Sequence, residues 1–145
     1  MEDQTAITKE YLQRIYKTNP YMNLLEMELQ DIGEGTAIFS MGVAAQKHGN
    51  LYGVAHGGAL ASLADMTMGA ACATLGRRVV TLDMNLNFIK PAPANSILKA
   101  TGTIIHNGKQ TMVVESEIVD AEGCLLVKSR GTFYVVGAFD FTENP

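Results

Sequence analysis

The segment from His56 to Leu75 constrains the fold of this chain most strongly, because it predicts a helix that is apolar on nearly every side. The polar residues that interrupt it are Ser62, Asp65, Thr67 and Thr74. A helix of this kind has to be enclosed by other elements of the fold. Gly76 follows it as a natural C-terminal stop. We therefore expect a buried central helix.

The apolar run from Leu51 to Leu75 is long enough to cross a bilayer, but its composition argues against a membrane span. Asp65 is its only charged residue, and a carboxylate at the bilayer midplane costs roughly 2.5–3.5 kcal/mol on insertion scales. Folding alone does not explain an isolated ionisable group among apolar neighbours, since burying it without a partner is costly. Asp65 is therefore the first candidate for a functional residue.

The overall composition excludes several classes of protein. At 145 residues and 47% hydrophobic, the chain suits one domain with one core. A net charge of −4 without a basic block disfavours nucleic acid or an anionic membrane as the partner. Cys72 and Cys124 lack the spacing of a disulfide framework or zinc site, and the N-terminus lacks the pattern of a signal peptide. We expect a cytoplasmic protein.

Strand and helix patterns flank the central segment on both sides. On its N-terminal side, the pattern predicts a helix over Thr8–Lys17 closed by Pro20, strands over Met27–Ile32 and Thr36–Val43, and a polar loop over Gln46–Asn50. On its C-terminal side, it predicts strands over Val80–Phe88, Ser96–Asn107, Gln110–Asp120 and Cys124–Val136. In Val80–Phe88 the even positions are apolar and the odd ones polar, which is the period of a strand.

The order of these elements predicts an α+β fold. A single antiparallel sheet wrapped around one long apolar helix is the natural packing solution, with the last strands in a meander. This arrangement resembles the hotdog fold. We predict one domain over residues 1–145, with an N-terminal helical segment over residues 1–20 and a C-terminal tail over residues 137–145.

A motif lies on the loop before the central helix and on the helix itself. It reads H-x-N-x-x-G-x-x-H-G-G with an aspartate seven residues later, formed by His48, Asn50, Gly53, His56, Gly57, Gly58 and Asp65. This pattern resembles the phenylacetyl-CoA thioesterase-like (PaaI-type) branch of the hotdog acyl-CoA thioesterases. The resemblance extends from Tyr21 to Val136, and it implies hydrolysis of an acyl-CoA thioester without a metal or redox cofactor.

The residue types of the motif suit that chemistry. Thioester hydrolysis needs hydrogen-bond donors at the carbonyl oxygen and a carboxylate that activates water or attacks the carbonyl carbon. Free N–H groups at a helix N-terminus supply the donors, and glycine allows close approach. We assign the donor to Gly57 and the carboxylate to Asp65, as general base or as nucleophile.

The spacing of these two residues predicts a shared site. Eight residues on a helix correspond to about 12 Å of rise, so Gly57 and Asp65 of one chain cannot touch the same carbonyl group. If two central helices lie antiparallel, Asp65 of one protomer approaches Gly57 of its partner. We therefore expect a homodimer with composite active sites, which can pair further into a homotetramer.

The resemblance implies roles for further residues. Asn50 would support the thioester carbonyl or its loop, and His56 and Gly58 would shape the start of the helix. Thr81 would help Asp65 to hold the water, although Thr81 is predicted to share the polar strand face with Asp83, so that a bulge or the partner subunit would have to bring it to the site. The candidates for binding the phosphates of coenzyme A are Lys90, Lys128 and Arg130.

Alternative functions stay open from the sequence. Asp65 could be a structural carboxylate, and Lys128 and Arg130 could belong to a solvated strand face. A hotdog enoyl-CoA hydratase or dehydratase would pair His56 with Asp65, and a non-catalytic acyl-CoA-binding protein would need no catalytic group. The acyl group could be aromatic, short or medium in length.

Overall fold

The computed structural model describes residues 3–144, in which a six-stranded antiparallel sheet packs against one long helix. The helices are α1 (Gln4–Tyr16), α2 (Pro20–Leu24), α3 (Ala45–His48) and α4 (Gly57–Thr74). The strands are β1 (Met27–Gly33), β2 (Thr36–Gly42), β3 (Arg77–Phe88), β4 (Ile97–Asn107), β5 (Thr111–Val119) and β6 (Leu125–Ala138). Met1, Glu2 and Pro145, which belong to the predicted terminal segments, lie outside the described residues.

The sheet confirms the α+β prediction. The order is β1-β2-β4-β5-β6-β3, and α4 contacts all six strands. Strands β4, β5 and β6 form the predicted meander, but β3 pairs with β6 rather than with β4. The connection from β3 to β4 contains Pro91 and Pro93, which cannot donate to a tight hairpin, and it carries the chain across to β2.

The central helix lies where the sequence predicts it, within one residue at each end. The His56 side chain caps its N-terminus, and Gly76 at φ +76° follows the C-cap residue Leu75. The prediction that the helix is enclosed holds only for the side that faces the sheet. A stripe on the other side is at least partly exposed and comprises Gly58, Ala61, Ser62, Asp65, Met66 and Gly69.

A β-bulge in β3 changes which side chains face the helix. Thr81 pairs with Phe133 and Asp83 with Thr132, so Leu82 lies between two consecutive pairs. Beyond the bulge, Met84 and Leu86 pack against the core as predicted, whereas Phe88 is 56% exposed. Before the bulge, the prediction is wrong: Val80 is 51% exposed and Leu82 is 57% exposed. The bulge therefore turns Thr81 towards α4.

The segment before α4 differs from its prediction at two points. Pro20 begins α2 instead of closing a segment, because proline suits the first position of a helix and Asn19 caps that helix. The predicted polar loop over Gln46–Asn50 contains most of the short helix α3.

The predicted C-terminal tail is partly ordered structure. Strand β6 continues through Ala138, two residues into the predicted tail. Phe139 and Phe141 then pack edge-on against Tyr11 of α1, with ring centroids 6.2 and 5.2 Å apart. The aromatic contacts fasten the end of the chain to its first helix.

The structure also tests the membrane interpretation of the apolar run. Within residues 3–144, no helix combines the length and the apolar character that a bilayer crossing requires.

Cys72 provides a test of the enclosed side of α4. Burial raises the pKa of its thiol to about 12, well above the ordinary value near 8.5. We therefore expect a thiol reagent near neutral pH to modify Cys72 in the Cys124→Ser variant slowly, and rapidly once the protein is unfolded in urea. The half-buried Cys124 in the Cys72→Ser variant is the control. Equal rates for folded and unfolded Cys72 would contradict this packing.

Candidate active site

The loop before α4 is anchored by His48, which is fully buried. Its Nδ1 accepts a hydrogen bond from the Ala44 N–H at 2.9 Å, so Nε2 carries the proton and donates to the Leu25 carbonyl at 2.7 Å. The His48 carbonyl accepts from the His56 N–H at 2.6 Å. His48 is thus a structural residue that fixes the start of the helix.

Asn50 shapes the tip of this loop. Its Oδ1 accepts hydrogen bonds from the N–H groups of Tyr52 at 2.8 Å and Val54 at 3.3 Å. Gly53 adopts φ +78°, a conformation that favours glycine. Asn50 was expected to support either the thioester carbonyl or the loop. The structure shows that its side chain supports the loop.

Sequence analysis missed a glycine in the same loop. A Cβ atom on Gly49 would lie only 2.3 Å from the Ala45 carbonyl oxygen. Glycine is therefore required at the end of α3, where the chain passes close to the Ala45 carbonyl group. Its position between His48 and Asn50 of the motif was the available signal.

The N-terminus of α4 leaves one backbone donor free. The Gly58 N–H donates to Nδ1 of His56 at 2.8 Å, and the Ala59 N–H donates to the His56 carbonyl at 2.9 Å. The Gly57 N–H has no acceptor among residues 3–144. The positive end of the helix dipole lies at this group, which suits it to bind an oxyanion.

Asp65 lies on the open stripe of α4, half-buried, and contacts β3. The Thr81 hydroxyl donates to Asp65 Oδ1 at 2.6 Å, as the bulge in β3 allows. None of the ion pairs found within residues 3–144 includes Asp65. The carboxylate is therefore oriented by a neutral donor, and it is not paired with a basic side chain of the described residues.

Asp65 and Gly57 face different cavities of the protomer. Asp65 and Thr81 line a cavity of about 220 Å³ between α4 and the strands β3 and β6. Gly57 lines another cavity of about 260 Å³ with Phe88 and Lys90. Since the two residues are also eight positions apart on one helix, about 12 Å along its axis, one protomer presents two separate halves of the expected site.

The three basic candidates lie in different places. Lys90 lies beside Gly57 in the second cavity. Lys128 and Arg130 lie on the outer face of the sheet, where Lys128 pairs with Glu117 at 3.0 Å and Arg130 with Glu115 at 2.6 Å. The hydrogen bond from Arg130 lowers the pKa of the Glu115 carboxyl. Binding of coenzyme A phosphates by these residues stays a prediction.

A second contact on the open stripe escaped sequence analysis. The Tyr21 hydroxyl and the Ser62 hydroxyl lie 2.7 Å apart, and Ser62 also donates to the Gly58 carbonyl at 2.8 Å. This contact joins α2 to the first turns of α4. Nothing in the local sequence indicates it, because the two residues are 41 positions apart.

Comparison with known proteins identifies the family to which this chain belongs. The sequence profile of the Thioesterase superfamily matches residues 52–126, just over half of the chain and including α4, Gly57 and Asp65. The chain belongs to this superfamily. Its PaaI-type character follows from the acyl-coenzyme A thioesterase PaaI of Escherichia coli K12, which is 32% identical over 123 residues, 85% of this chain and 87% of that protein.

Thioesterase structures show the same fold over most of this chain. The E. coli PaaI protein from the phenylacetic acid degradation operon matches with a TM-score of 0.88 and 29% identity, over 94% of this chain and 98% of that one. A hypothetical thioesterase from Streptococcus pneumoniae TIGR4, solved with coenzyme A, matches with a TM-score of 0.81 and 27% identity, over 88% and 99% of the two chains. The human acyl-coenzyme A thioesterase 13 is 27% identical over 136 residues, 91% of this chain and 96% of that protein.

Replacing His56 tests its role as the cap of α4. We expect His56→Ala to lower the free energy of unfolding by about 0.5–2 kcal/mol, because the Gly58 N–H loses its acceptor. The His56→Asn variant keeps a side-chain acceptor and should retain most of that stability. Urea unfolding measures both variants. Equal losses in the two variants would contradict the capping role.

Proposed function

We propose that this thioesterase-superfamily protein hydrolyses an acyl- or aryl-coenzyme A thioester to the free acid and coenzyme A. The observation that carries the proposal is the Asp65 carboxylate, which Thr81 orients at the edge of a cavity and which forms no ion pair within residues 3–144. Two of its relatives are named acyl-coenzyme A thioesterases, and a third was solved with coenzyme A.

The hydrogen bond from Thr81 suggests how Asp65 acts. With Oδ1 occupied by the Thr81 hydroxyl, Oδ2 is free to accept a proton from a water molecule. The water oxygen then attacks the thioester carbonyl carbon, the carbon–sulfur bond breaks, and the proton held by Asp65 passes to the departing thiolate. The same free oxygen could instead attack the carbonyl carbon directly, so that the carbon–sulfur bond breaks, the coenzyme A thiolate departs and takes up a proton from water, and the resulting anhydride is cleaved by water.

The Gly57 N–H supplies the complementary group. Negative charge develops on the carbonyl oxygen during the attack, and a free donor at a helix N-terminus stabilises it. His56 contributes by occupying the Gly58 N–H and holding the first turn in place. Lys90, in the same cavity, is the basic residue best placed to meet the coenzyme A moiety.

The active unit that we propose is a homodimer with composite sites. Strand β3 lies at the edge of the sheet, and its exposed residues include Val80 and Leu82. A long apolar edge strand is suited to pair with a second chain. Pairing through a two-fold axis would cover the open stripe of α4 and bring each Asp65 towards the partner's Gly57, twice per dimer. Further pairing of dimers into a tetramer is compatible with this arrangement.

The alternative of a hydratase or dehydratase has less support. That reaction would use His56 as an acid or base, but its Nδ1 already accepts the Gly58 N–H. Release of free thiol from acyl-CoA supports hydrolysis, whereas loss of enoyl absorbance without thiol would support hydration. The hydrolysis uses only water, so we propose no metal or redox cofactor. Two free cysteines agree with a cytoplasmic location.

The Asp65→Asn variant tests the catalytic carboxylate. We expect it to fold and to lose at least about a hundredfold in kcat, because asparagine cannot accept the proton from water. Thiol release from a panel of acyl-CoA and aryl-CoA thioesters measures the loss. The control is Asp83→Asn, which neutralises an exposed carboxylate on β3, two residues after Thr81. Near wild-type turnover by Asp65→Asn would refute the proposal.

The Gly57→Pro variant tests the backbone donor without adding a polar group. Gly57 is the first residue of α4, where proline is tolerated, and His56 at φ −62° and ψ 139° already has the backbone that precedes proline. The variant loses the N–H, and we expect kcat to fall about 10²–10³-fold. Gly57→Ala is the control, since its Cβ meets Phe88 at an ordinary 3.5 Å and the N–H remains.

Mixing the two inactive variants tests the composite site. A heterodimer of Asp65→Asn and Gly57→Pro subunits contains one intact site, and random pairing of equal amounts makes half of the dimers mixed. Thiol release should therefore recover to about a quarter of the wild-type rate after subunits are unfolded and refolded together. The same mixture prepared without exchange of subunits is the control. No recovery in verified heterodimers would exclude sharing of these two residues.

A further inference from the structure

Two hydroxyl groups join the short helix α2 to the first turn of α4. The Tyr21 and Ser62 hydroxyl oxygens lie 2.7 Å apart, and Ser62 donates its single hydrogen to the Gly58 carbonyl at 2.8 Å. Tyr21 is therefore the donor in its pair with Ser62. This first chain of hydrogen bonds ends on the carbonyl of the second residue of α4.

The same short helix is joined to α4 a second time, through the motif loop. The Leu25 carbonyl, at the end of α2, accepts from Nε2 of His48 at 2.7 Å, and the His48 carbonyl accepts from the His56 N–H at 2.6 Å. The Nδ1 atom of His56 then accepts from the Gly58 N–H at 2.8 Å. Gly58 is thus held at its N–H by one chain of hydrogen bonds and at its carbonyl by the other.

The two chains close into a hydrogen-bond ring. Inside α2, the Leu25 N–H donates to the Tyr21 carbonyl at 3.2 Å and joins their ends. The members of the ring are Tyr21, Ser62, Gly58, His56, His48 and Leu25. Gly57 lies in the chain between two members, and its N–H has no acceptor among the described residues. The ring therefore holds the residues on both sides of the proposed oxyanion donor.

Two consecutive glycines make the first turn of α4 easy to distort. Glycine loses more conformational freedom on folding than any other residue type, so a helix that begins with Gly57 and Gly58 is prone to fraying. A tilted N–H group forms a weaker hydrogen bond, because the bond loses strength as its angle departs from linearity. Binding of an oxyanion by the Gly57 N–H therefore requires contacts from outside the helix that hold this turn in place.

Tyr21 fixes the direction of the Ser62 hydroxyl group. A serine hydroxyl is free to rotate, and its bond to the carbonyl four residues earlier slightly destabilises a helix when it acts alone. Because the Tyr21 hydroxyl donates to Oγ, the hydrogen of Ser62 stays on the Gly58 carbonyl. Tyr21 is 55% exposed, in contrast to the buried His48, so the ring can be opened at Tyr21 without disturbing the core.

We propose that Tyr21 and Ser62 are positioning residues for thioester hydrolysis, which hold the first turn of α4 so that the Gly57 N–H points at the oxyanion. The inference rests on the proposed function. It adds α2, which carries none of the reacting groups, to the elements that determine the rate. Neither hydroxyl group contacts the substrate in this role. Opening the ring should therefore lower kcat and leave KM nearly unchanged, because the affected hydrogen bond strengthens in the transition state.

The Tyr21→Phe and Ser62→Ala variants each open the ring by removing one hydroxyl group. We expect kcat for thiol release from the panel of thioesters to fall about three- to tenfold in each variant, since the donor is misaligned but still present. KM should stay within about twofold of the wild-type value. Ser62→Thr keeps a hydroxyl group and should retain most of the activity. Tyr134→Phe removes the hydroxyl of an exposed tyrosine on β6 and is the matched control.

Two combinations of variants identify the route by which the hydroxyl groups act. Tyr21→Phe together with Ser62→Ala should lose no more than Ser62→Ala alone, because both changes open the same ring. Tyr21→Phe added to Gly57→Pro should cause no further loss of kcat, because the donor that the ring positions is already absent. Losses that multiply in either pair would overturn the inference. Unchanged kcat in both single variants, or a raised KM at unchanged kcat, would overturn it as well.

Hydrogen exchange of the Gly58 amide tests the ring without a substrate. In folded Tyr21→Phe, NMR should show exchange of this amide at least about threefold faster than in the wild type, while the amides of β5 keep their wild-type rates. Unchanged exchange at Gly58 would overturn the inference. Failure of the inference leaves thiol release by the wild-type protein intact, whereas a folded wild-type protein that released thiol from none of the thioesters would refute the proposed function itself.

Discussion

One antiparallel sheet can cover only one side of an apolar helix, and the functional part of this protein depends on that geometric limit. The buried side of α4 carries the core contacts, including the fully buried Leu63 and Met68. The opposite side is lined by small residues, one methionine and a single carboxylate. A helix of this composition needs a second surface beyond its own sheet. The uncovered side thus carries the carboxylate to which we assign the reaction, and it leaves space for the substrate and the partner subunit that we propose.

The motif before α4 combines framework and chemistry in one short stretch. The side chains of His48, Asn50 and His56 form hydrogen bonds with backbone groups. These bonds fix the loop and the first turn of the helix. Only the Gly57 N–H is left for an external acceptor within the described turn. Most residues of a polar motif can therefore serve to position a single backbone group.

Much of the fold could be predicted from the sequence, because α4, the meander and the glycine turns have strong local signals. Gly76 occupies the left-handed conformation expected of a residue that ends a helix. The face of β3 could not be predicted throughout, since alternation alone does not reveal the bulge at Leu82. The pairing of β3 with β6 also depends on contacts far apart in the chain, and Phe139 was assigned to a tail because its partner Tyr11 is at the other end.

The site shows the same division between local and distant information. Asp65 and Gly57 could be chosen from composition and motif. The contact of Asp65 with Thr81 depends on the bulge, and the cavity beside Asp65 is lined by residues from both ends of the chain. Lys128 and Arg130 were chosen from charge alone, which does not indicate the acidic neighbours that strand pairing places beside them.

The exposed edge strand β3 has a consequence for newly folded chains. A freshly folded chain exposes a strand of twelve residues that is hydrogen-bonded on one side, with apolar side chains along it. Such an edge can pair with any extended segment that it meets, so the dimerisation that we propose would compete with aggregation of unassembled chains. Because the proposed dimerisation is bimolecular, slow synthesis would favour single chains, and a high local concentration of nascent chains would favour mispairing.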